Sequence, residues 1–294
     1  MSDVNTIAVI GSGQMGGGIA QIAAVAGLNA ICFDAHAPSL EKAKATHEKL
    51  LARAVEKGRM GEDEKSAALA RLSYVESLDK IESADWVVEA VVENADVKKK
   101  VFEDLAARFA GRESVALATN TSSISITEIA AAAEKAAPGS APRVVGMHFF
   151  YPVPVMGLVE IISGLQTDPS IVERTVTLSE TLGKTPLKAN DRAGFVSNRV
   201  LMPMINEGFY AWMEGVAEPE AIDGIMTLGC NFPMGPLRLA DFIGLDTCAH
   251  IMHVLADGLN NDRYRPCPLL TQLVTAGRLG NKTRHGVYDY RDAT

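Results

Sequence analysis

The stretch IAVIGSGQMGGGIAQIAAVAG, residues 7–27, leaves a chain few folds to choose from. An apolar run that reads as a β-strand stops at Ile10, and an alanine-rich helical run opens within a few residues. A reversal that short needs backbone conformations and close approaches that side chains obstruct, and Gly11, Gly13 and Gly16 supply them at GxGxxG spacing. Gly11 permits the tight turn, Gly13 lets a pyrophosphate approach the backbone, and Gly16 lets the helix pack closely. The free N–H groups of the helix start then face an anion. Such a unit belongs at the switch point of a parallel sheet.

The following residues sustain that reading. Strands are expected at 6–10, 29–34, 86–92, 115–120, 143–150 and 158–163, with alanine-rich or amphipathic segments between most of them. The alternation predicts an α/β, Rossmann-type domain with a mostly parallel sheet covered by helices. Residues 39–72 exceed what one crossover helix needs, and EKGRMGEDEK splits them into a helical hairpin that projects from the sheet. Beyond PLKANDRAGF (186–195) the alternation stops. Helices are expected over 195–213, 219–229, 236–259 and 268–278, with Pro203 kinking or breaking the first. Two domains follow: an α/β domain over 1–189 and an all-α domain over 190–294.

The formal charge, 28 − 36 = −8, argues against a nucleic-acid-binding surface. No apolar run is long and uninterrupted enough to span a bilayer. Cys32, Cys230, Cys248 and Cys267 form no CxxC pair and suggest reduced thiols. Since no targeting peptide precedes the first strand, a cytoplasmic protein without a membrane partner is expected.

Asp34 ends the second strand, 21 residues after Gly13, where a carboxylate accepts both ribose hydroxyls of a dinucleotide. It would repel a 2′-phosphate, and no arginine follows in DAHAP. NAD is therefore expected over NADP; comparable catalytic efficiency with both cofactors would contradict this.

Three further strand ends point to the same edge: Glu93 in VVEN, Ser122 in ATNTSS and His148 in MHFF. Ser125 and Glu128 form an S-x-x-E capping box, which leaves Ser122 without a capping duty, although serines often serve only a turn. A histidine at a strand end is commonly structural. Here, though, YPVPVMG returns the chain through LVEIIS, bringing Glu160 beside His148. A carboxylate on one imidazole nitrogen orients the ring and stabilises the imidazolium formed when the other takes a proton. Oxidation of an alcohol by NAD needs such a base. His250 and His253 share a helical face, but no zinc motif accompanies them, so no metal is expected.

With GSGQMG, VVEAVVEN, NTSS, HFFYPVPVMGLVE, GFVSNR, PMGPLRLADFIGLDT, YRPCPLL and GVYDY in order, the chain resembles the L-3-hydroxyacyl-CoA dehydrogenase family, and most closely its short bacterial 3-hydroxybutyryl-CoA members. The resemblance implies reversible, NAD-dependent oxidation of (S)-3-hydroxyacyl-CoA, with His148 as acid/base and Glu160 as its partner. It makes Ser122 and Asn198 hydrogen-bonding groups for the substrate. Cofactor contacts are implied at Gly11, Gly13, Gln14, Met15, Gly16, Asp34, Glu93, Lys98, Ser122 and Lys282. The hairpin resembles a CoA-binding arm, with Lys57 at a basic position. The stripe Lys49, Arg53, Lys57 reads by itself as a solvated face laced with Glu48 and Glu56 or as a grip on an anionic tail. An acyl-CoA thioester as substrate and a homodimer through the helical domain follow from the same resemblance.

The chain departs from the family pattern at Tyr151, where asparagine is frequent, at Ala193, where proline is common, and at Arg284–His285. Two other readings remain: a dehydrogenase of a free hydroxy acid, which has little use for a basic arm, and a catalytically silent NAD-binding relative.

Overall fold

The computed structural model describes residues 3–291. They form two compact units that divide between Asp191 and Arg192. The division falls two residues beyond the expected boundary of 189/190.

The first unit is built on one eight-stranded sheet. Its strands are β1 (Thr6–Ile10), β2 (Asn29–Phe33), β3 (Leu72–Val75), β4 (Trp86–Glu89), β5 (Ala116–Thr119), β6 (Val144–Phe149), β7 (Leu158–Ser163) and β8 (Thr185–Asn190). They lie in the order β3-β2-β1-β4-β5-β6-β7-β8. All neighbours are parallel except β6 and β7, which form an antiparallel hairpin. Helices α1 (Gln14–Val25), α2 (Ala37–Glu56), α3 (Glu62–Ala70), α4 (Ala95–Arg108), α5 (Ile126–Ala136) and α6 (Pro169–Thr181) fill the connections. Every residue of β4, β5 and β6 is buried, as in central strands covered on both faces. The chain order reverses between β1 and β4, so the glycine turn stands at the switch point.

Two strands were not expected. β3 follows the helical hairpin directly. β8 is an edge strand of sequence TPLKAN, whose proline and mixed exposure conceal it. Conversely, the strand expected over 86–92 stops at Glu89, and the chain turns there.

The hairpin α2–α3 packs by its base. Leu40, Ala43, His47 and Leu51 of α2 and Ala68 of α3 are buried, whereas no residue from 52 to 67 is. Fully buried residues thus end about midway, and Met60 in the turn packs against the core only in part.

The second unit comprises α7 (Ser197–Met213), α8 (Pro219–Gly229), α9 (Pro236–Ile243), α10 (Leu245–Gly258) and α11 (Pro268–Thr275). Pro203 lies inside an unbroken α7. The single helix expected over 236–259 is two, because Gly244 at φ 105° takes a conformation that no helix contains. Met202, Phe209, Leu237, Leu245, Met252, Leu255 and Leu270 form the core. Asp241, fully buried, accepts bonds from the Val287 and Tyr288 N–H groups and the Tyr290 hydroxyl, and so fastens the GVYDY segment.

The glycines of the turn are not equivalent. A Cβ on Gly16 would lie on the Gly11 carbonyl oxygen, but one on Gly13 meets nothing within 4 Å. Gly16→Ala is therefore expected to lose about 3 kcal/mol of stability through overpacking. Gly13→Ala should stay within about 1 kcal/mol of wild type while weakening NADH binding, because its methyl fills the space above the turn. Urea unfolding and NADH fluorescence titration of both variants check this; equal destabilisation by the two substitutions would contradict it.

Candidate active site

Five expected site elements stand in a row along the carboxyl ends of adjacent strands: Asp34 after β2, the glycine turn after β1, Glu93 beyond β4, Ser122 beyond β5, and His148 near the end of β6. Four inter-strand steps at about 4.8 Å make this row about 19 Å long.

At one end, Gly11 (φ 99°) is packed so that a Cβ would come within 2.7 Å of the Ala90 oxygen. Gln14 and Met15 open α1, whose start carries no side-chain cap, so its first amides face the turn. Asp34 is bound to this turn by a residue that the sequence reading missed. Its Oδ2 accepts the Ser12 N–H at 2.9 Å and the Ser12 hydroxyl at 2.8 Å, and its Oδ1 accepts the His36 N–H at 3.0 Å. Burial opposes the charge on Asp34, but these donors outweigh it and hold the carboxyl below the ordinary range. The open space at Gly13, the uncapped helix start and an ionised, oriented Asp34 together fit a dinucleotide such as NAD.

In the middle of the row, Glu93 gathers the turn after β5. Its Oε1 accepts the Thr121 hydroxyl at 2.6 Å, the Ser122 N–H at 2.8 Å and the Ser122 and Ser123 hydroxyls at 3.2 Å. Burial raises its proton affinity, yet Lys98 and these donors reverse the effect and lower its pKa. Lys98, expected as a cofactor contact, is only 1% exposed. Its ammonium lies 2.6 Å from Glu89 and 3.4 Å from Glu93, so it reaches the site through its carboxylate partners. Glu89 had no expected role. The available signal was a glutamate within an otherwise apolar run, followed nine residues later by a lysine.

The far end holds the acid/base candidates. His148 and Glu160 are directly opposed in the β6–β7 register, and Nδ1 lies 2.7 Å from Glu160 Oε2. Both are buried. Nδ1 donates to the carboxylate, which assigns Nε2 as the proton-accepting atom of the neutral ring. The Phe150 ring lies 4.5 Å from the imidazole between centroids, and Asn120 Oδ1 accepts the Phe149 N–H at 2.8 Å, tying β6 to the end of β5. Ser125 caps α5 as expected, accepting the Glu128 N–H, but Glu128 turns to Lys99 at 2.9 Å instead of completing a box. Tyr151 is half-exposed in the loop that follows.

The remaining expected residues lie elsewhere. Lys57 caps the C-terminus of α2, and Lys49, Arg53 and Lys57 are all exposed, with no ion pair among the described residues. In the second unit, Asn198 is buried in the first turn of α7, and the Lys282 ammonium binds Asp246 Oδ2 at 2.6 Å.

Comparison with known proteins identifies the family. Residues 6–192 match the family model for the 3-hydroxyacyl-CoA dehydrogenase NAD binding domain, and residues 194–290 match that for the 3-hydroxyacyl-CoA dehydrogenase C-terminal domain. The chain is 49% identical over 292 residues to a probable 3-hydroxybutyryl-CoA dehydrogenase of Bacillus subtilis, covering 99% of each. It is 47% identical to a 3-hydroxybutyryl-CoA dehydrogenase of Bradyrhizobium diazoefficiens, over 99% of this chain and 97% of that one. The crystal structure of an (S)-3-hydroxybutyryl-CoA dehydrogenase from Ralstonia eutropha superimposes with a TM-score of 0.92 at 44% identity, covering 99% of this chain and 100% of that one.

A pH dependence follows from the two lowered carboxyls. Their ordinary values are 3.8 and 4.5, and the folded values lie below these. The stability they contribute is thus complete above the ordinary values and is lost as pH falls through the folded ones. Ser12→Ala removes one donor to Asp34. Its stability should trail wild type above about pH 5 and converge with it below about pH 3, as measured by urea unfolding across that range. A gap that widens towards acid would contradict the assignment.

Proposed function

The chain belongs to the 3-hydroxyacyl-CoA dehydrogenase family and is an NAD-dependent oxidoreductase, and from that premise we propose that it interconverts (S)-3-hydroxybutyryl-CoA and acetoacetyl-CoA. The observation that carries the reading is the opposed His148–Glu160 pair, buried at one end of a row that begins at the glycine turn. The names of the relatives support the short acyl chain.

His148 Nε2 takes the proton of the 3-hydroxyl in the oxidative direction and returns it in the reductive one. Glu160 keeps Nδ1 protonated and stabilises the imidazolium between the two. Bound NAD supplies the hydride acceptor at the 3-carbon. Ser122 donates its hydroxyl to the 3-oxygen from the turn that Glu93 organises. Burial of the His148–Glu160 pair excludes water from the proton transfer. The exposed, ion-pair-free Lys49, Arg53 and Lys57 serve the anionic end of CoA, with Lys57 at the tip of the hairpin. The roles of Asn198 and Lys282 rest on the resemblance.

A homodimer through the second unit is part of the same proposal. Val200, Val216, Ile225 and Leu228 there are each more than 60% exposed, an apolar surface of the kind a partner covers. All four cysteines are free thiols, which supports a reducing compartment such as the cytoplasm.

The test is NADH oxidation with acetoacetyl-CoA and, in parallel, free acetoacetate. Rapid oxidation with the thioester alone is expected; equal rates with the free acid would defeat the CoA reading. His148→Gln should keep NADH affinity and lose about 10²–10⁴-fold in kcat, the range for removal of a general base. Near-normal turnover in that variant would mean that another group takes the proton. Replacing Lys49, Arg53 and Lys57 together by alanine should raise KM for acetoacetyl-CoA by about tenfold at unchanged kcat.

A further inference from the structure

The strands of the sheet are not tied together equally. β6, β7 and β8 follow one another at one side, and this block carries both His148 and Glu160. Within the sheet it joins the remaining strands through the β5–β6 seam alone. That seam is the shortest in the sheet. It runs over three residue pairs, Leu117–Val144 to Thr119–Gly146, where every other seam has four or more. It also stops short of the site. β5 ends at Thr119, opposite Gly146, whereas β6 stays paired with β7 as far as Phe149 opposite Val159. His148 therefore stands on a stretch of β6 that has run past its β5 register.

Asn120 spans that gap. It is the first residue after β5. Its N–H donates to the Glu89 oxygen at the end of β4 at 2.8 Å, and its side-chain Oδ1 accepts the Phe149 N–H at 2.8 Å. One residue thus ties the ends of three strands. The backbone beyond Asn120 has already turned away, for the Thr121 N–H is bent back to Thr119 Oγ1 at 3.2 Å and the Thr121 hydroxyl is spent on Glu93. A side chain does here what the next step of the ladder would have done. Phe149 is 2% exposed, and a buried amide that loses its acceptor is costly.

The tie bears on the reaction because of what the His148–Glu160 bond leaves undetermined. Both partners belong to the same block, so their bond holds them against each other and moves with them. It does not set their distance from the glycine turn or from the turn after β5, which lie across the seam. A misplacement of about 1 Å between reacting groups can cost about 10²-fold in rate. We propose that Asn120 is a positioning residue for the dehydrogenase reaction: its side chain locks the carboxyl end of the β5–β6 seam and so fixes His148 relative to the cofactor side of the sheet. This rests on the reading of His148 as the acid/base.

Asn120→Ala removes the acceptor and leaves the His148 and Glu160 side chains intact. It is expected to lower kcat with acetoacetyl-CoA about tenfold, with NADH affinity and KM for the thioester each changed less than about twofold. Asn120→Asp, which keeps an acceptor at the same reach, should recover most of the rate. A double-mutant cycle separates positioning of the base from general support of the fold. Adding Asn120→Ala to His148→Gln should change kcat less than about twofold, because no imidazole is left to place. The proposal is overturned by wild-type kcat in Asn120→Ala, by no recovery in Asn120→Asp, or by an equal tenfold loss with and without His148→Gln. Should Asn120→Ala not fold, Asn120→Ser, whose oxygen stops one bond short, enters the same cycle with the same criteria. His148→Gln alone reports on the base. Near-normal turnover there removes the acid/base reading and the proposal with it, whereas a tenfold loss independent of His148 removes the proposal only.

Discussion

The register of β6 against β7 is the constraint that sets His148 against Glu160. Side chains alternate across a strand, so a slip of one residue would turn Glu160 to the opposite face and leave His148 without its carboxylate. An antiparallel pair achieves this opposition directly, because facing residues lie side by side. The sheet accordingly abandons its parallel order for this one step. β8 then pairs parallel to β7 and keeps it from being an edge. The one antiparallel step and the strand that follows it together fix the contact between His148 and Glu160.

The same sheet edge carries Asp34, Glu89, Glu93 and Glu160, an unusual density of carboxylates for a site that must hold a pyrophosphate. Each is engaged by protein donors: Ser12 and His36, Lys98 and Thr119, the 121–123 turn, and His148. The amides left for the phosphates are those of the uncapped start of α1, next to the open space at Gly13. The separation of roles along the row follows from that.

What was legible in the sequence is what local spacing encodes. The glycine turn, Asp34 and the strand–helix alternation are short-range patterns, and the His148–Glu160 pair is joined by a connection short enough to imply a hairpin. Glu89 was hidden because WVVEAVV reads as one strand to Val92, whereas the chain turns after Glu89. The role of its partners depends on β4 lying beside β5, a neighbourhood set by the whole sheet. β8 escaped notice because its residues neither alternate nor avoid proline. The break at Gly244 was masked by a helical pattern on both sides of one residue whose φ of 105° no periodicity reports.

One further buried charge links the two ends of the row. Lys184, 8% exposed, donates to the Val153 oxygen at 2.6 Å and the Met156 oxygen at 2.8 Å, and burial lowers its pKa. Val153 in turn packs on Gly18 of α1, where an added Cβ would come within 2.8 Å of the valine. The loop that leaves β6 is therefore pinned between a lysine and the nucleotide-binding helix. Carbonyl dipoles suffice as partners here, and a carboxylate would have brought another anion towards the phosphate end of the site. The glycine at position 18 thus has a different use from the three that form the turn: it seats the loop of the β6–β7 hairpin against α1.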